Sequence, residues 1–130
     1  MPEPRVTVED VLKASEGTLQ KQMYVYFTTP TGGLGPVLEN LKEHLAFQND
    51  LERRGIMFGA GPHWTDDEKT WEGDGMVIVR AGSLAEAREI AESDPMHKSG
   101  ARSFTARPWL MNEGTVTIKV TYSDGKREVL

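Results

Sequence analysis

A chain of 130 residues is the size of one domain, long enough to bury roughly two thirds of its unfolded surface in a real core. Its 38% hydrophobic and 27% charged residues are those of a folded globular protein, and its net charge of −5 disfavours nucleic acid or an anionic membrane as partner. There is no cysteine, which excludes disulfides, thiolate zinc sites and cysteine nucleophiles. The start, MPEPRVTVED, has no signal-peptide apolar stretch, and no apolar run approaches the ~20 residues of a membrane span. A soluble, cytoplasmic domain is expected, with chemistry left to His, Asp, Glu, Ser, Thr or a borrowed cofactor.

Thr7-Val8-Glu9-Asp10 carries a capping signal, and Val8, Val11 and Leu12 recur at helical spacing, predicting a short helix to about Ala14 before Gly17. Residues 22–28 (QMYVYFT) are rich in aromatic and β-branched side chains and read as a first strand. After a glycine-rich loop, Pro36 suits the first turn of a helix. Val37, Leu38, Leu41, Leu45 and Leu51 predict one amphipathic helix from there to a Gly55 cap. Residues 56–60 are a second strand, 61–75 a polar loop and 76–80 (MVIVR) a third strand. Ser83-Leu84-Ala85-Glu86 is a capping box for a second main helix, which Asp94-Pro95 is expected to end. Residues 103–111 form a fourth strand, and Val116 to Tyr122 alternate into Asp124-Gly125, the favoured centre of a type I′ hairpin turn.

The order strand-helix-strand-strand-helix-strand is that of the ferredoxin-like α+β sandwich, whose helices cover one sheet face. A single domain is expected, with a core over about 22–114, an N-terminal helical extension over 1–21 and a C-terminal β-hairpin over 115–130. Strands one and three carry apolar residues on both faces: Met23, Val25 and Phe27 against Tyr24 and Tyr26, and Met76 and Ile78 against Val77 and Val79. An uncovered apolar face of that size predicts a homodimer.

His44-Leu45 in the first main helix, then Gly55, Gly61-Pro62, Asp94-Pro95 and Pro108-Trp109, in that order, resemble the YCII-related family over about residues 23–114. The resemblance implies a dimeric α+β barrel and a site built on His44 and Asp94, with no cofactor and no metal. Dehydrochlorination of a chlorinated hydroxyquinol is one activity of the family, and muconolactone isomerase shares the wider fold. The extra N-terminal segment, the 61–75 loop with its two tryptophans and the C-terminal hairpin depart from a minimal member, so substrate identity does not carry over.

The antiparallel run of the helices makes convergence of His44 and Asp94 plausible, as a base and its orienting carboxylate require. A histidine on an apolar stripe is also an ordinary half-buried core residue, and an aspartate before proline an ordinary helix end. Trp109, Gly61, Pro62 and His97 are candidates for substrate binding, with core or dimer packing as the alternative for Trp109. His44, His63, His97 and Asp94 match no metal-ligand spacing, and Gly32-Gly33-Leu34-Gly35 lacks the P-loop ending. Two functions follow. The first is a cofactor-independent enzyme, a lyase or isomerase of the dehydrochlorinase or muconolactone-isomerase kind. It would move a proton on a small cyclic or carbonyl-bearing molecule. The second is a non-catalytic dimeric module that binds a small molecule or a protein.

Overall fold

The computed structural model describes residues 3–130. The chain divides into two compact units, Gln22–Leu110 and Met1–Lys21 together with Met111–Leu130. β1 (Lys21–Pro30), β2 (Met57–Pro62), β3 (Gly75–Val79) and β4 (Arg102–Met111) form one sheet in the order β2-β3-β1-β4, all of it in the larger unit but the end residues Lys21 and Met111. With the helices between them, this is the expected ferredoxin-like α+β topology.

β3 pairs antiparallel with β1, Tyr24 opposite Val79 and Tyr26 opposite Val77, and antiparallel with β2 on its other side. Those four side chains form the main core with Ala87 and Ala91 of the helix Leu84–Glu92. Period-2 alternation puts the strand residues on one face, and alanines four apart let the helix lie close over them. Gly75 of β3 packs closely against Gly61 and Pro62 of β2. A Cβ there would stand 2.6 Å from the Gly61 carbonyl oxygen, so no larger residue fits without moving backbone.

Several sequence expectations need correction. The single helix predicted from Pro36 is two: α2 (Leu34–Glu39) and α3 (Leu41–Arg53), following α1 (Val8–Ala14). They meet at Asn40, whose side-chain amide donates to the Pro36 carbonyl at 2.8 Å. An Asn side chain that competes for backbone partners favours a break over helix interior. Ser83 caps α4 (Leu84–Glu92) by accepting from Glu86 N–H, but the Glu86 carboxylate takes the Gly82 N–H and not that of Ser83. Asp94-Pro95 does more than end α4. Asp94 is the N-cap, and Pro95 opens the next helix, α5 (Pro95–Lys98). Proline has no N–H to lose at that position and its fixed φ is already helical.

The opposite sheet face is less bare than expected. Met23 is fully buried and Val25 nearly so within the single chain. Phe27 is 39% exposed, with Met76 and Ile78 half-buried beside it in register.

In the smaller unit Thr7 and Asp10 cap α1 reciprocally, as their spacing predicts. β5 (Ile118–Thr121) and β6 (Lys126–Val129) form the hairpin. Its loop is not the two-residue type I′ turn expected. Thr121 pairs with Lys126, and residues 122–125 lie between. Asp124 accepts the Lys126 N–H at 2.9 Å, and Gly125 has φ +68°. A local aspartate-to-backbone bond there favours the longer loop.

Candidate functional site

The face of α3 that meets the sheet is not wholly apolar: His44 and Leu51 are its buried residues, and Gln48 is half-buried between them. Opposite stand the small residues Ala60 and Gly61 of β2. Where α4 packs tightly through alanine, α3 leaves a cavity of about 420 Å³ between itself and the sheet. That volume is in the range of small-ligand sites. Its wall includes His44, Thr28, Gly61, Pro62, Trp71 and Arg102.

His44 Nδ1 lies 2.9 and 2.8 Å from the two carboxylate oxygens of Asp94. Asp94 is 1% exposed. A carboxylate only accepts, so Nδ1 carries the hydrogen and donates it, which leaves the Nε2 lone pair as the basic site of the neutral ring. Nε2 has no hydrogen-bond partner among the described residues and is not sealed from solvent. The helix-capping role of Asp94 fixes this geometry: Oδ1 also accepts the Met96 N–H at 2.8 Å. Val37 of α2, Met96 of α5 and Ala101 pack together as a second core cluster that holds this end of the cavity.

Tyr26, buried in the sheet, has a hydroxyl with no partner among the described residues. Burial pushes its pKa upward, and the negative charge of Asp94 adds to the shift. It therefore remains a neutral phenol.

Two expected contact residues do not line this cavity. His97 sits behind Thr28. Its Nδ1–H donates to the Ala91 carbonyl at 2.6 Å, and its Nε2 accepts from the Thr28 hydroxyl at 2.8 Å. Burial lowers its pKa; the Ala91 bond and the Asp94 charge oppose that shift. It is a neutral ring with both nitrogens occupied. Trp109 stands on β4, 39% exposed, outside the wall. A local pattern such as Pro-Trp carries no information about which end of a ten-residue strand meets the cavity. Gly61 and Pro62 do line it, through β2 and not through a loop. His63 faces Asp74 at 3.4 Å. Among the described residues no three His, Asp or Glu side chains are grouped to hold a metal ion.

Sequence reasoning missed Arg102, Thr28 and Gln48. A signal for Arg102 was present in the alternation Arg102, Phe104, Ala106, where one cation shares a face with residues packed on the core. The tryptophan loop, by contrast, has no period from which an inward side chain could be read.

The molecule is thus a ferredoxin-like α+β protein with a small-molecule-sized cavity onto which a carboxylate-held histidine opens. The YCII-related domain model matches residues 23–110, and the chain belongs to that family. Among solved structures it is similar in fold to the 5-chloro-2-hydroxyhydroquinone dehydrochlorinase of Burkholderia phenoliruptrix AC1100, determined in complex with 2,5-dihydroxybenzoquinone. The identity is 24% and the TM-score 0.55, over 68% of this chain and 93% of that one. No curated protein sequence matches the chain. Among the described residues no helix is long and apolar enough to cross a membrane.

Proposed function

We propose that this protein is a small cofactor-independent enzyme that moves a proton on a small cyclic or carbonyl-bearing molecule, with His44 as general acid/base and Asp94 as the residue that positions it. One observation carries this reading: the Nδ1–H of His44 is tied to a buried carboxylate while Nε2 is left open at the wall of a ligand-sized cavity. In the proposed step Nε2 takes a proton from a carbon next to a carbonyl. The C–H electron pair then forms a new double bond. In elimination a leaving group departs with its own electron pair; in isomerisation the imidazolium returns the proton at another carbon. Asp94 keeps the tautomer and stabilises the imidazolium without taking its proton.

We further propose a cytoplasmic homodimer that covers the Phe27, Met76 and Ile78 face. The exposure of Phe27 and the family's fold support this, although the single chain already buries Met23 and Val25. Turnover of 5-chloro-2-hydroxyhydroquinone and of unsaturated lactones by wild type and His44→Ala tests the catalytic reading. A loss of about 10²–10⁴-fold in His44→Ala is expected. Equal turnover in the two proteins would remove His44 from the reaction. A non-catalytic module would turn over none of these compounds.

A further inference from the structure

Arg102 begins β4 facing inward and is only 6% exposed. Its Nε–H donates to the Gly73 carbonyl at 2.9 Å, and its guanidinium carbon stands 5.9 Å from the centre of the Trp71 ring. Both supports are themselves fixed. Gly73 has φ +97°, and a Cβ there would stand 2.7 Å from the Pro30 ring; the Trp71 indole N–H donates to the Asp74 carbonyl at 2.8 Å.

The remaining guanidinium N–H groups make no hydrogen bond or ion pair with any described residue, and they are not sealed from solvent. A buried guanidinium ordinarily faces a carboxylate. Here the two acidic groups whose charge reaches it make no hydrogen bond or ion pair with it: Asp94 serves His44 and the Met96 N–H, and Asp74, also in the cavity wall, has its carboxylate 3.4 Å from His63 Nδ1. Burial lowers the Arg102 pKa while Asp94 and Asp74 oppose the shift, and an arginine so placed stays a cation. The cavity wall therefore presents a fixed cationic fork that no carboxylate pairs with directly, Asp94 and the wall residue Asp74 acting on it only at a distance.

We propose that Arg102 is the anion-recognition residue of the cavity, pairing with a negatively charged oxygen group of the ligand, so that the substrates are carboxylates or ionised hydroxyquinones. This rests on the cavity as the ligand site proposed above and not on proton transfer by His44. A planar fork suits two oxygens in one plane, which a carboxylate provides at one carbon and an ionised hydroxyquinone at neighbouring carbons.

Isothermal titration calorimetry at pH 7 tests it with two matched pairs of probes. One pair is the dianion of 2,5-dihydroxybenzoquinone against its neutral dimethyl ether, and the other is benzoate against benzamide. Wild type is expected to bind at least one anion tenfold or more tightly than its neutral counterpart, and the pair that shows the preference identifies the source of the charge. Arg102→Gln should lose that preference by weakening the anion alone, and Arg102→Lys, which keeps charge but not the fork, should fall between. His44→Ala should retain the preference even if it abolishes all turnover, which separates this inference from the catalytic one.

Equal affinity for anion and neutral probe in wild type would overturn the proposal. So would an equal loss for both probes in Arg102→Gln, because that is the mark of a purely structural arginine. If Arg102→Gln does not fold by circular dichroism, Arg102→Lys and the wild-type ratio decide the same question.

Discussion

Asp94→Ala tests the core of the site through stability, without any need to know the substrate. The substitution removes an acceptor that serves two buried donors, the Met96 N–H at 2.8 Å and the His44 Nδ1–H at 2.8 and 2.9 Å. A buried donor left without a partner costs about 1–3 kcal/mol, and bonds to an ionised acceptor lie at the upper end. The expected total is about 3–5 kcal/mol. For 130 residues the unfolding entropy near the midpoint is about 0.27 kcal/mol/K, so Tm should fall by about 11–18 °C. Asp94→Asn retains a good helix cap through its side-chain oxygen, and its loss should stay within about 1–2 kcal/mol. In a His44→Ala background one of the two donors is gone, so Asp94→Ala should cost only the cap. The double-mutant cycle, measured by urea unfolding, should then give a coupling of about 1.5–3 kcal/mol. A coupling below ~0.3 kcal/mol would refute the reasoning, because the two side chains would then be neighbours that do not use each other.

The lowered pKa of His97 predicts a pH dependence. Between its folded value and the ~6.5 of the unfolded chain, the unfolded state binds a proton that the folded state refuses, so stability falls as pH drops below about 6.5. His97→Gln should flatten this decline between about pH 7 and pH 5, and an unchanged slope by chemical denaturation would show that another group is responsible. At the sheet face, wild type should sediment as a dimer with an interface of at least roughly 1,200 Å², and Phe27→Arg should shift it to monomer. A wild type that is monomeric at tens of micromolar would rule that interface out.

Local chemistry along the chain was enough for most of the elements. Short apolar runs rich in aromatic and β-branched residues marked core strands in ferredoxin-like order, and Thr7 with Asp10 closed the capping box that their spacing announces. The resemblance of the His44-Leu45 and Asp94-Pro95 motifs named the pair that now stands 2.8 Å apart. Such features are short-range: a period of 2 or 3.6, a cap three residues away, a proline that tolerates only one helical position. Packing decided the rest. Asn40 broke one helix into two by taking the Pro36 carbonyl, and Asp94 capped a helix where only an ending was expected. His97 moved from binding candidate to half-buried residue with both nitrogens occupied because Thr28 and Ala91, distant from each other in sequence, reach its two nitrogens. Arg102 became part of the wall only once β4 entered the sheet beside β1 and the Gly73 carbonyl came within reach. A side chain's type is written in the sequence, but whether its donors meet a partner or an open cavity depends on residues tens of positions away, and only the folded chain brings those together.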